Sequence, residues 1–301
     1  MLMARGVTQV GRGRMDWAVA FAPRVRLSIV ERRGLVLDTR FVPPARQPAS
    51  RNPCLYVLLQ GTWRLGGGAL GFEGPAAFVV SEEHLEGGDG VRSLTYRTAA
   101  SRFAMIEVHL DAEDTSLRTG ALPVPVSIDE RAWGAARRVG ALSQHDDDSM
   151  TSAIAELLEA LSALSLVSAE TAASATRPLA PPFRVLWRAL RPMAERLELL
   201  PTIQQLSAAM GTTPREVDRY VRAFVSASGL VGAGWRPASL HLRLKLAVIM
   251  LSAEDASVAE VARVIGYGSA DAMARAFRDA ALPSPGAVRD ALGACAGDDV
   301  L

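Results

Sequence analysis

Two stretches of the chain, 55 positions apart, carry the same run of side-chain types. The first reads Ile203-Gln204-Gln205-Leu206-Ser207-Ala208-Ala209-Met210-Gly211, then Thr212-Thr213, then Pro214 to Arg222. The second reads Val258-Ala259-Glu260-Val261-Ala262-Arg263-Val264-Ile265-Gly266, then Tyr267-Gly268-Ser269, then Ala270 to Arg278. In each, apolar residues recur at i, i+3 and i+7, a glycine follows, then a hydroxyl residue, then arginines along a second amphipathic segment. Arg215 and Arg219 are four apart and share one helical face. A guanidinium donates parallel N–H groups, which suits guanine O6 and N7 together or phosphate oxygens. A small side chain such as Ala270 suits contact with a thymine methyl group.

Such chemistry needs helices that present those residues outward. Glycine supplies the left-handed backbone that ends the first helix of each stretch. Thr213 and Ser269 are suited to capping the second. The small residue in mid-helix, Ser207 or Ala262, lets the two helices approach closely. The result is a helix-turn-helix pattern present twice. A recognition helix of this kind enters the major groove with its N-terminal residues against base edges. On that geometry Arg215, Arg219 and Arg275 are the base-reading candidates, with Ala270, Asp271 and Ala272 facing the groove. Thr213, Arg222, Ser269 and Arg278 are the phosphate-contact candidates, which position rather than specify. The plainer alternative makes Arg219 and Arg275 solvated helix residues, or partners of Glu216, Asp218 or Asp271. Val217, Val221, Met273 and Phe277 read as core.

Two copies joined by a helix of about 13 residues are far more specific than one. Residues from about 184 to 292 resemble the DNA-binding domain of the AraC/XylS family of transcription regulators. The match is carried by Ser257 through Ser269, continuing to Met273-Ala274-Arg275-Ala276-Phe277-Arg278, Ser284-Pro285 and Arg289. Arg243-Leu244, Ala247 and Met250-Leu251 match the family's linker helix. The chain departs from the family pattern where Leu282 replaces a glycine and Val221 a phenylalanine. It also carries about eight extra residues between Arg222 and Gly234. The resemblance implies a sequence-specific regulator that binds double-stranded DNA, a small-molecule effector and RNA polymerase, and that forms a homodimer.

The implied fold class is α+β: an N-terminal cupin-like β-barrel with a helical hairpin, and a C-terminal all-α double helix-turn-helix domain. The expected boundaries are a disordered leader over 1–24, an effector-binding and dimerisation domain over 25–176, a linker over 177–182, the DNA-binding domain over 183–292 and a tail over 293–301. Extended patterns support the barrel at Val25–Glu31, Leu35–Phe41, Leu55–Gln60, Trp63–Leu65, Ala77–Ser81, Ser93–Thr98 and Phe103–Leu110. Helical patterns follow at Glu130 to Leu142 and Thr151 to Ala173, where Ile154, Leu157, Leu158, Leu161 and Leu164 form a stripe. That stripe would pair with a second copy or pack on its own barrel. His145-Asp146-Asp147-Asp148 reads as a solvated loop before a helix N-terminus, since three adjacent aspartates cannot all point at one ion.

Inward strand residues Tyr56, Trp63, Tyr96 and Phe103 would line an effector pocket or fill a core, and Arg64 and Arg97 would face a carboxylate. The four histidines, His84, His109, His145 and His241, include no HxH pair, so no metal and no cofactor is expected. With no G-x-S-x-G elbow and no phosphate loop, no enzyme is expected either. Composition agrees with a globular regulator. The 301 residues balance 33 basic against 32 acidic groups, which excludes binding to nucleic acid by bulk charge. From 184 to 290 the count is 14 Lys+Arg against 10 Asp+Glu, a difference of +4. Apolar runs such as Leu246 to Leu251 fall far short of the about 20 residues that span a bilayer. Two cysteines near opposite ends fit a reducing cytoplasm. The rival reading is a degenerate relative that binds a protein partner and no DNA.

Overall fold

The computed structural model describes residues 1–43, 53–65, 70–81, 95–98, 101–111, 113–117, 122–141, 146–195, 201–228, 230 and 234–296. The chain is α+β, strands first and helices after. The strands are β1 (Leu2–Val10), β2 (Gly13–Ala22), β3 (Val25–Arg33), β4 (Pro53–Gln60), β5 (Thr62–Leu65), β6 (Gly71–Glu73), β7 (Ala76–Ser81), β8 (Tyr96–Thr98), β9 (Arg102–Leu110) and β10 (Val124–Val126). One antiparallel sheet has the order β1-β2-β3-β9-β4-β7-β10, and a smaller one the order β6-β5-β8. The small sheet closes over the large one through ring contacts, Trp63 lying 5.0 Å from Phe78.

The expected disordered leader is wrong, because residues 2–22 form two long strands. The physical reason is an alternation across β2. Ala18, Ala20 and Ala22 enter the core beneath the helical hairpin, while Met15, Trp17, Val19 and Phe21 turn towards the other face and the C-terminal helices. A half-buried strand with both faces covered has no reason to stay unfolded. The expected strand Leu35–Phe41 is also corrected. Leu35, Val36 and Leu37 are buried without a ladder, Thr98 N donates to Leu37 O, and Asp38 caps a 3-10 turn at Thr39–Phe41.

One face of the large sheet is covered by helices α1 (Glu130–Gly140) and α2 (Asp147–Ala163). Ile154, Leu157, Leu158 and Leu161 are fully buried there, so the leucine stripe packs on its own sheet. Asp146 caps α2 through Ser149 N at 2.8 Å; His145 lies outside the described residues. The long helix expected to reach residue 173 breaks at Ser165, whose φ is +58°, and resumes as α3 (Ala169–Ser174).

The C-terminal helices are α4 (Pro181–Ala194), α5 (Ile203–Met210), α6 (Pro214–Ala227), α7 (Trp235–Leu251), α8 (Val258–Val264), α9 (Ala270–Asp279) and α10 (Pro285–Ala296). The proline run expected as a linker ends inside α4, whose first turn holds proline where the missing amide leaves nothing unbonded. Among the described residues no helix is long and apolar enough to cross a membrane.

Candidate nucleic-acid interface

The two repeated stretches fold as two helix-turn-helix units, α5–α6 and α8–α9. In the first, Thr202 and Gln205 cap α5 reciprocally. Gly211 then takes φ +63° and ψ 32°, the left-handed conformation that turns the chain. Ser207 Oγ donates to Thr212 O, which ties the helix to the turn. Thr213 Oγ1 accepts from Glu216 N at 3.3 Å, and the Glu216 carboxylate accepts in return from Thr213 N and the Thr212 hydroxyl. Those bonds, from Thr212 first and Thr213 next, hold the Glu216 carboxyl below its usual range. Glu216 is therefore a cap and not a free charge facing the groove.

Val217, Val221 and Phe224 are buried along one side of α6. Thr213, Arg215, Arg219 and Arg222 are exposed. Arg219 lies 5.2 Å over the Tyr220 ring. Arg222 pairs with Asp218 at 2.7 Å, a bond that phosphate would have to displace. Part of the extra length before Gly234 is helical, because α6 runs to Ala227, fourteen residues against ten in α9.

The second unit repeats the construction. Ser257 caps α8 and Ser269 caps α9, accepting from Ala272 N at 3.1 Å. Gly266 has φ +79°. Met273 and Phe277 are fully buried, while Ser269, Asp271, Arg275 and Arg278 are exposed and Ala270 and Ala272 half-buried. Among the described residues Arg215, Arg275 and Arg278 have no ion-pair partner. Sequence reasoning placed Arg243 only in the linker helix. It also donates from α7 to the carbonyls of Ile265 and Gly266, and its guanidinium lies 4.0 Å over the Tyr267 ring. It thereby closes the C-terminus of α8 and fixes the turn. No local pattern announces this bond, since its ends are 23 residues apart.

The turn after α9 explains the missing glycine. Ala281 adopts φ +57°, and Leu282 N donates to Phe277 O at 2.9 Å, completing the helix end that glycine usually makes. A left-handed alanine costs about 1–2 kcal/mol. Ala281→Gly should therefore raise stability by about 0.5–1 kcal/mol, the gain being trimmed by a freer unfolded chain. Urea denaturation reads it, and an unchanged or lower midpoint would show that Ala281 is unstrained.

Both units lean on the β1–β2 hairpin. At its open end Phe21 lies 5.1 Å from both Trp187 of α4 and Phe224 of α6, and Trp187 Nε1 donates to Met3 O at 3.1 Å. At its tip, Arg12 N donates to Glu254 O at 3.2 Å and Gly11 N to the Glu260 carboxylate at 3.3 Å. Val36 N donates to Ser252 Oγ at 2.8 Å beside it. The docking leaves Arg215, Arg219, Arg275 and Arg278 in solvent.

The other predicted residues gather inside the strands. Tyr56, Trp63, Tyr96 and Phe103 are all buried on the inner face, with Trp63 stacked on Tyr96 at 5.0 Å and Tyr56 on Phe78 at 5.4 Å. Arg64 points outward and is exposed; Arg97 is half-buried beside Asp38. Among the described residues no group of three His, Cys, Asp or Glu side chains is arranged to hold a metal ion. His84 lies outside them.

No family model and no curated protein matches the chain. Among solved structures, ToxT from Vibrio cholerae is similar over 88% of this chain and 98% of ToxT, at 5% identity and a TM-score of 0.37. ToxT from Vibrio cholerae O395, bound to (E)-4-(8-methylnaphthalen-1-yl)but-3-enoic acid, is similar over 89% of this chain and 99% of that one, at 7% identity and a TM-score of 0.37. A cupin superfamily protein from Desulfitobacterium hafniense is similar over 34% of this chain and 81% of its own, at 13% identity and a TM-score of 0.23. At these scores the likenesses carry no functional assignment.

Proposed function

We propose that the chain is a sequence-specific, DNA-binding transcription regulator of AraC/XylS type, with α6 and α9 entering successive major grooves of duplex DNA. One observation carries this. Two units repeat a hydroxyl cap on each helix and the same left-handed glycine, and each buries its apolar side while exposing arginines along its second helix. Arg215, Arg219 and Arg275 read bases, with Ala270 and Asp271 beside them. Thr213, Arg222, Ser269 and Arg278 hold phosphates. Residues 25–176 carry the effector-binding role and 183–292 the DNA-binding role. A small-molecule effector, RNA polymerase and a second copy of the chain are its further partners, and the protein is cytoplasmic. A homodimer must use a surface other than the leucine stripe, which is buried.

A gel shift with the duplex upstream of its own gene tests the reading. Specific retardation should weaken steeply as salt rises, because each neutralised phosphate releases a counterion. Arg275→Ala should cost about 1–3 kcal/mol, confined to one base position. An equal loss on every sequence would move Arg275 to the backbone, and no loss would remove it from the interface. The Asp218–Arg222 pair and the small charge excess of 14 against 10 favour one rival, a protein-binding relative that has left DNA. Absence of any salt-dependent retardation would select it.

A further inference from the structure

The inner face of the large sheet carries a nucleophile that the gene-control reading leaves unused. Cys54 of β4 stands directly opposite His109 of β9, and on the other flank of β9 Arg26 of β3 is opposite the same histidine. Directly paired residues share a face, so Arg26, His109 and Cys54 form one row across three strands. Glu107 lies two residues along β9 on that face, with Tyr56 opposite it. The Cys54 and His109 side chains are hydrogen-bonded to each other, and His109 Nε2 meets the Glu107 carboxylate at 3.2 Å. A thiol bonded to an imidazole that a carboxylate orients is the arrangement that activates a cysteine nucleophile.

The charges agree with the geometry. Burial pulls the His109 imidazolium down and Arg26 adds to that, but the Cys54 sulfur and Glu107 outweigh both and hold it well above its usual value. The effect is mutual, since an imidazolium beside the sulfur favours the thiolate. The bond from Cys54 Sγ to Leu55 O is long, at 3.9 Å, and competes weakly for the thiol proton. Tyr96 of β8 and Lys245 of α7 lie within electrostatic reach of the same cluster. Arg26 Nε is buried and has no hydrogen-bond acceptor among the described residues, which leaves one donor beside His109 for an incoming oxygen. Cys54 is wholly buried, whereas the His109 and Glu107 side chains are each 13% exposed. A reagent that enters beside them must be close to water in size.

We propose that Cys54 is a modification site for hydrogen peroxide, oxidised to a sulfenic acid with His109 as the proton donor. The thiolate sulfur attacks one peroxide oxygen, so an S–O bond forms and the O–O bond breaks. Sulfur loses two electrons and the peroxide gains them. The leaving hydroxide takes the imidazolium proton and departs as water, and His109 is left neutral. The inference goes beyond gene control and does not depend on DNA binding. Its rival is a structural thiol, inert because it is buried. The two differ in sign: unfolding slows the reaction of an activated thiol and speeds that of an inert one.

The test takes as parent the full-length Cys295→Ala chain, in which Cys54 is the sole thiol. Hydrogen peroxide is added and removed with catalase, and the remaining thiol is counted in urea, with intact mass reporting the gain of one oxygen. Near neutral pH the folded parent should lose its thiol at least about threefold faster than the same chain unfolded in urea. Its rate should stay nearly level between about pH 6 and 8, where that of the unfolded chain rises about tenfold per unit with its thiolate fraction. His109→Gln removes both the counter-charge and the acid, so it should react at least about tenfold more slowly and regain the rise with pH. Should His109→Gln fail to fold, the folded-to-unfolded ratio and the pH profile of the parent still decide. Faster oxidation in urea, no oxidation of the folded chain, a folded rate that climbs with pH as in urea, or a His109→Gln rate equal to the parent's overturns the inference.

Discussion

Trp187→Ala should destabilise the chain by about 3–5 kcal/mol, the usual cost of emptying a buried aromatic site. Trp187 is 7% exposed and packs edge-on to Phe21 at 5.1 Å, with Phe224 at 5.8 Å completing a three-ring cluster. Its loss removes the ring that joins α4 to the sheet. It also strips the Met3 carbonyl of its donor, which adds about 1 kcal/mol if water cannot reach it. Domains of this kind have about 5–15 kcal/mol in total, so the variant should unfold at clearly lower urea. Trp187→Phe separates the two contributions, since it keeps the ring contact and loses only the hydrogen bond. It should cost about 1–2 kcal/mol. A Trp187→Ala loss below about 1 kcal/mol would mean that the first helix-turn-helix unit does not lean on the sheet, and that the hairpin is a passenger.

The helices α5, α6, α8 and α9 were legible because their signals are local. Gly211 and Gly266, Thr213 and Ser269 fix turns and caps within a few residues of themselves, and each takes the conformation its type favours. The apolar positions of α6 and α9 recur at helical spacing, so Val217, Val221, Met273 and Phe277 could be placed in the core from spacing alone. The strands of residues 53–110 were legible for the same reason. What was missed depends on distant partners. The alternation from Met15 to Ala22 is present in the sequence, large residues on one side and alanines on the other. Read beside a glycine- and arginine-rich start, it looks like a short apolar patch. Only the helices that pack on it, more than 160 residues later, make it a two-sided strand. The stripe on α2 was ambiguous between a second copy and its own sheet, because periodicity gives a face and never its occupant. The burial of Arg32 carried no local signal, since it depends on the cross-strand Phe103 ring that covers its guanidinium.

Gly11→Val should uncouple the second helix-turn-helix unit from the first. Gly11 sits at the hairpin tip with φ +51°, and a side chain there would place Cβ 2.4 Å from Glu254 O and 3.0 Å from Ala256 N. Both are backbone atoms of the turn between α7 and α8, so neither can swing aside. A β-branched residue also resists the left-handed region, at about 1–2 kcal/mol. The tip must therefore leave the turn, losing the bonds from Arg12 N to Glu254 O and from Gly11 N to Glu260. From Met3 to Gly11 the strand rises about 26 Å, comparable to the about 34 Å between successive major grooves on one DNA face. A rod of that length, held at one end by Trp187 and at the other by Glu254, fixes how far apart and at what angle α6 and α9 are presented. Without the tip, α7 and the bond from Val36 N to Ser252 Oγ are what remain to join the units, and the second contact is less well preorganised. Affinity for a duplex with both half-sites should fall about tenfold, through a lower effective concentration of the second reader, while affinity for a single half-site stays level. Arg12→Ala is the matched control. Its ion pairs to Glu254 and Asp255 are about 70% exposed, so removing them should cost less than about 1 kcal/mol and leave both affinities nearly unchanged. Parallel losses on the two duplexes in Gly11→Val would point to general unfolding. Equal affinities in parent and variant would mean that α7 and the bond from Val36 N to Ser252 Oγ hold the two units in register.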